Sequence, residues 1–250
     1  MTDRLDRATL DARLDSAVLD DAVLDDAVLD NPVWSALSGS HAGFAQSVGR
    51  AARYPADISP FVGLADPADP GAWRDLHRLV GAGRKVGMSG TAATPAGWRV
   101  LARIPGVQLV DSALRAEPDP DAQPLGSTDL PEMLDLVRRT EPGPFERRTI
   151  ELGGYLGIRR HGRLVAMAGQ RMRPVGWTEI SAVCTDPAFR GQGLAGRLVR
   201  AVAVGIRGRG ETPFLHAAAD NAGAIRLYEA IGFTLRREVT FTVLRSPAET

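Results

Sequence analysis

The chain has 250 residues, 44% of them hydrophobic, and its 30 basic side chains balance 30 acidic ones. That length and apolar content suit one large or two modest domains with a sizeable core. A formal charge of zero excludes a general electrostatic attraction to nucleic acid or an anionic membrane, and the single cysteine, Cys184, excludes an intramolecular disulfide and a cysteine-based zinc cluster.

The histidines, His41, His77, His161 and His216, are scattered without metal-ligand spacing, so no metal is expected. No stretch has the roughly 20 apolar residues that span a bilayer. The amino terminus is acidic and lacks the basic-then-apolar layout of a signal peptide. The expectation is a cytoplasmic protein with no nucleic-acid or membrane partner.

Residues 1–31 form an acidic extension containing the repeat AVLDD AVLDD AVLDN, Ala17 to Asn31. A five-residue step advances a helix by about 500°, so the leucines drift around the axis and make no stripe. So few copies cannot stack a solenoid core. The extension reads as a frayed helix or as disorder, with a solenoid or partner-binding element as the remaining alternative.

Asn31-Pro32 marks a boundary, because the residue before proline disfavours helix. Residues 32–117 read as a smaller N-terminal α/β module. Gly71 to Gly83 predicts a short helix closed by glycine, RKVGMSG a strand, and GWRVLARIPGVQLVDSAL one or two more. The module holds no catalytic constellation. It is expected to wall an acceptor site or to mediate homodimerisation. Ala116 to Pro124, rich in proline and acid, reads as a linker.

Residues 118–250 carry sharper signals. STDLPEMLDLVRRT is a capped helix with Leu130, Met133, Leu134 and Val137 on one face. FERRTIELGGYL reads as a helix or turn. YLGIRR and RLVAMAGQRM form a hairpin around His161-Gly162. WTEISAVCT is a strand, followed by a glycine loop with its helix, the strand PFLHAAA, the helix NAGAIRLYEAIG and the final strand FTLRREVTFTVLR. The fold class is α/β (α+β) with a mixed, mostly antiparallel sheet.

RGQGLAG, Arg190 to Gly196, places glycines where a helix begins, although each costs about 1 kcal/mol relative to alanine inside a helix. A strand, a glycine-rich turn and a helix start form an anion-binding arrangement. Unpaired N–H groups point outward, the helix dipole favours negative charge, and glycine lets phosphate oxygens approach. A turn that simply needs glycine is the alternative.

Arg190-x-x-Gly193-x-Ala195 matches the (Gln/Arg)-x-x-Gly-x-(Gly/Ala) signature of the GCN5-related N-acetyltransferase (GNAT) superfamily. NAGAIRLYEAIGF, Asn221 to Phe233, resembles that family's second motif. Residues 120–250 therefore resemble a GNAT domain, in particular of the FR47-like branch; the N-terminal module could then be a degenerate second copy. The resemblance implies acetyl-CoA as acyl donor and direct transfer to a primary amine on a small molecule or peptide. It implies cofactor contacts at Val183, Cys184 and Thr185 on the strand and at Arg190, Gly191, Gln192, Gly193, Leu194, Ala195 and Gly196 in the loop. Asn221 matches a position that contacts the CoA arm, and also suits a helix cap. Tyr228 matches the general-acid tyrosine that protonates the leaving sulfur; packing is its alternative role. Glu179 and His216 are the candidate bases, with Glu151 a weaker one; each is otherwise a structural hydrogen-bonding residue. A covalent role for Cys184 is set aside for want of a histidine partner. A longer-chain acyl-CoA transferase and a non-catalytic acyl-CoA sensor are the alternative functions.

Overall fold

The computed structural model describes residues 25–90 and 93–248. Most of the acidic repeat therefore lies outside the described residues. Its last copy is described, and Ala27–Asp30 forms one turn of 3-10 helix.

The strands, in chain order, are β1 (Gln46–Val48), β2 (Ala51–Arg53), β3 (Val62–Leu64), β4 (Lys85–Ser89), β5 (Arg99–Asp111), β6 (Ala122–Leu125), β7 (Tyr155–Arg160), β8 (Arg163–Gln170), β9 (Trp177–Thr185), β10 (Thr212–Ala218) and β11 (Phe233–Arg245). The helices are α1 (Pro32–Ser38), α2 (Pro70–Val80), α3 (Leu130–Thr140), α4 (Leu194–Arg207) and α5 (Ala222–Ile231). Strands β1 to β3 make a small antiparallel sheet. The other eight form one sheet in the order β4-β11-β5-β10-β9-β8-β7-β6, antiparallel except for the β9–β10 pair.

Local chemistry explains the boundaries. Asp69 caps α2 by accepting the Gly71 N–H at 2.7 Å, Pro70 begins it, and Gly81 ends it at φ +81°. The β7–β8 turn has positive φ at both His161 (+51°) and Gly162 (+77°), the geometry that matches the twist of a two-residue hairpin. The segment FERRTIELGGYL supplies only a 3-10 turn, Thr149–Leu152, before β7.

The sheet is covered on both faces. On one face α4 lays Leu198, Val202 and Ile206 over Ile158, Val165, Ile180 and Leu215. On the other, α3 packs Met133 and Leu136 against Met167 and Ala182. Beside α3, Leu29, Val33, Leu37, Tyr54, Ile58 and Phe61 cover Met172, Trp177 and Phe214.

Residues 32–117 do not stand apart from this sheet. They supply β4 at its edge and β5 in its interior, between β10 and β11. Strand β5 is a single 13-residue strand that runs through Pro105-Gly106. Its register with β10 ends at Gly106↔Ala218, so the N–H that Pro105 lacks is not required by a neighbour.

Candidate active site

Strands β9 and β10 are in parallel register only from Trp177/Thr212 to Ile180/Leu215. Beyond that point β9 runs on to Thr185 and β10 to Ala218 without pairing, so the sheet opens between them. On its other edge β9 carries a bulge: Met167 faces Cys184 and Gly169 faces Ser181, which leaves Ala182 and Val183 opposite the single residue Ala168. Ala182 has φ +52°, uncommon for a non-glycine residue; such bulges re-aim backbone beside functional sites. Val183 has a registered partner on neither side.

The cleft runs into the glycine loop. Gly191 and Gly193 have φ +78° and +73°, and a Cβ built on either would meet nothing within 4 Å. These two glycines are thus required by backbone conformation and face open space. Leu194 begins α4 with no side-chain cap on its first turn, so the N–H groups of Leu194, Ala195 and Gly196 are first-turn donors without an intrahelical acceptor. Gly191, Gln192 and Gly193 donate no backbone hydrogen bond to described residues. Gly196 serves packing, since its Cβ would meet Leu227 of α5 at 3.3 Å. Arg190 is exposed and its Nε donates to the Thr185 carbonyl at 3.3 Å.

Asp186 anchors the loop and belongs to neither sequence motif. It accepts the Ala188 N–H at 3.0 Å and contacts Arg139 and, at 3.1 Å, Arg163. The backbone N–H first, and then Arg139, holds its carboxyl below the usual range. Its signal in the sequence was only Asp before Pro, because both arginines come from distant strands and helices.

Tyr228 of α5 is 6% exposed and stacks edge-on against Phe233. Its hydroxyl bonds to no described residue. Burial, and secondarily Cys184, pushes its pKa up to about 12, so the phenol keeps its proton at neutral pH. Asn221 accepts the Ala224 N–H through Oδ1 at 3.1 Å and so caps α5; its Nδ2 bonds to no described residue. Cys184 is buried against the α3 side, where burial raises the thiol to about 11; it is held as a thiol, not a thiolate.

Glu179 and His216 meet on the sheet face opposite α4. Glu179 is 1% exposed and every lone pair is engaged: Arg171 Nε and Nη2 donate at 2.8 and 2.7 Å, the Met172 N–H at 3.3 Å and His216 Nδ1 at 2.8 Å. Burial alone would raise its pKa, but the Arg171 guanidinium more than reverses this and holds it at about 2. The His216 side chain is 3% exposed, and its Nε2 lies 3.1 Å from Gln108 Nε2. Glu151 is tied to Arg148 at 2.7 and 2.8 Å on the surface and does not join this group. The sequence missed Arg171 and Gln108, which carry no motif and reach the site only through strand register. Among the described residues no group of three or more His, Cys, Asp or Glu could hold a metal, and no helix is long and apolar enough to cross a membrane.

The family model described as FR47-like protein matches residues 155–242, which contain the bulge, the cleft, the glycine loop and α5. The chain is similar to the [ribosomal protein bS18]-alanine N-acetyltransferase of Salmonella typhimurium, 32% identical over 124 residues that cover 45% of this chain and 82% of that protein. It is also similar to the N-alpha-acetyltransferase RimI of Mycobacterium tuberculosis, 35% identical over 83 residues, 32% of this chain and 51% of that protein; the chain thus spans about half the length of this relative. A solved GNAT-family structure from Novosphingobium aromaticivorans superposes with a TM-score of 0.80 at 41% identity, covering 88% of this chain and 99% of that one. Sheet order, open cleft, loop and these relatives agree: the chain belongs to the GCN5-related N-acetyltransferase superfamily, in its FR47-like branch.

Proposed function

We propose that this protein transfers the acetyl group of acetyl-CoA directly to a primary amine. The observation that carries the reading is the opening between β9 and β10, which leads onto the unpaired N–H groups of Gly191 to Gly196. Those donors, with Arg190, suit a pyrophosphate. The backbone of Val183, which has no registered partner beside the bulge, suits the thioester carbonyl as an oxyanion-type donor, with Cys184 next to it on the strand. Thr185 continues that strand edge, and the free Nδ2 of Asn221 faces the role of a contact to the CoA arm.

In the reaction the amine nitrogen attacks the carbonyl carbon, the C–N bond forms and the C–S bond breaks. Tyr228 gives its hydroxyl proton to the leaving sulfur. His216, oriented by Glu179, takes the proton the amine loses. Because Glu179 is saturated with donors, it acts by holding His216 rather than by taking a proton itself.

The acceptor must attack as a neutral amine. An α-amino group has a pKa of about 8 and a lysine amine about 10.4, so the α-amine offers a far larger neutral fraction near pH 7.5. With its candidate base buried, this site favours the more acidic amine. The two bacterial relatives are named for N-alpha and alanine acetylation, which supports a peptide α-amine as the first acceptor class to try. The test is a panel of peptides with free or blocked N-termini, with and without lysine, assayed for CoA release. Acetylation of free α-amines is expected; reaction only at lysine or at small polyamines contradicts the α-amine reading, and no transfer to any amine contradicts the enzyme reading.

A further inference from the structure

One strand beyond the candidate base, β5 and β11 carry a second polar cluster that no motif marks. Gln108 lies in register between His216 on β10 and Arg237 on β11. It is fully buried. Strand β11 has a bulge here, with Arg236 extra between Leu235 and Arg237, and the bulge turns Arg236 toward the same buried side as Gln108.

The hydrogen bonds fix the amide's orientation. Gln108 Oε1 lies 2.9 Å from Arg236 Nη1, which can only donate. Gln108 Nε2 lies 2.9 Å from the Leu29 carbonyl, which can only accept. The atom facing His216 Nε2 at 3.1 Å is therefore an N–H donor. His216 Nε2 must accept, so the ring proton sits on Nδ1 and is donated to Glu179 Oε1. Both amide anchors are themselves secured. Arg236 is held by Asp26 and Asp30, each at 2.8 Å, and by the Asp26 carbonyl at 2.9 Å. Leu29 is 1% exposed under the sheet.

We propose that Gln108 is a positioning residue that assigns the proton of His216 to Nδ1, and that the turn Ala27–Asp30 with Arg236 holds it in that role. The proposal rests on the reading of His216 as the base. A lone pair on Nε2 with Nδ1–H on a carboxylate is the tautomer that can take a proton while the carboxylate stabilises the resulting cation. Proton uptake at Nε2 then breaks only the hydrogen bond from Gln108, whose amide stays anchored on the Leu29 carbonyl and Arg236. The groups that face His216 from its neighbours are Glu179 on β9, Gln108 on β5 and the rings of Phe214 on β10 and Phe241 on β11. Arg171 and Arg236 stand one hydrogen bond further out, with Asp26 and Asp30 beyond Arg236. The last copy of the acidic repeat thereby acquires a role in the site rather than in a surface tail.

The test is the nitrogen-15 spectrum of the imidazoles in the full chain, assigned by replacing His216, with acetyl-CoA affinity, kcat and acceptor KM measured on the same samples. Wild type is expected to show His216 with a protonated Nδ1 and a bare Nε2. In Gln108→Glu a carboxylate faces Nε2, so both nitrogens are expected to be protonated and kcat to fall at least tenfold at unchanged acetyl-CoA affinity. Arg236→Gln frees Oε1 and is expected to shift the Nε2 signal while those of His77 and His161 stay in place; it serves if Gln108→Glu does not fold. A wild-type His216 protonated on Nε2, or variants that leave its pattern unaltered, would overturn the role of Gln108. The expected spectra with unchanged kcat would uphold the tautomer and overturn His216 as the base.

Discussion

Two buried phenols define the residue scale. Tyr228 keeps a proton on a hydroxyl that bonds to no described residue, in a helix packed on β11 and α4. Replacing it with phenylalanine is predicted to lower turnover about a hundredfold, the lower range for a positioned acid, with acetyl-CoA affinity unchanged in a binding titration. Equal turnover in the variant removes Tyr228 from the chemistry. Tyr155 is the contrasting case. Its ring lies across Gly169, where any Cβ would sit 2.2 Å from it, and its buried hydroxyl has no partner among the described residues. An unpaired buried hydroxyl costs about 1–3 kcal/mol, so Tyr155→Phe is predicted to raise Tm; a fall would mean that the hydroxyl is bonded in solution. Tyr228 is a candidate from the sequence because it sits in a local motif. Tyr155 and Gln108 are not, since each acquires its meaning from residues on other strands.

At the scale of elements, the sequence revealed most where one signal is local. The closing glycine of α2, the His161-Gly162 turn and the glycine loop before α4 all depend on neighbours a few residues away. Strand β5 shows the limit. The stretch reads as one or two strands, and it is a single one because the β10 partner stops at the level of Pro105-Gly106. No pattern within GWRVLARIPGVQLVDSAL announces that the strand inserts between β10 and β11. If β5 is integral to the core, Leu109→Ala, at a position with no exposure, is predicted to cost about 3 kcal/mol in denaturant unfolding. A loss below about 0.5 kcal/mol, the range of surface changes, would contradict that placement.

At the scale of the whole molecule, the segment read as a linker is pinned to the fold. Asp119 and Asp121 accept from Arg197 at 2.5 to 2.8 Å, and Arg160 reaches Asp121 at 2.9 Å. Composition shows acid and proline there but not the arginines that meet them. Sheet continuity across this point predicts one cooperative unfolding transition seen alike by fluorescence and circular dichroism; two separated transitions would contradict it. The fold also carries a pH signature. Burial first, and Arg173 second, lowers His41 from 6.5 to about 4, so between those values the unfolded chain binds the extra proton. Stability is then predicted to fall as pH drops from 6.5 to 4, and His41→Gln to flatten that slope; an unchanged slope would assign it to other groups.

The central claim is that the open β9–β10 edge and its glycine loop form an acetyl-CoA site. Calorimetric titration of the wild-type chain and of Gly193→Glu with acetyl-CoA, and with a longer acyl-CoA, tests it most directly. The account predicts saturable acetyl-CoA binding by wild type and none by the variant, whose carboxylate would occupy the anion site at a backbone φ that disfavours any side chain. Absence of binding by wild type, or equal binding by both, would contradict it.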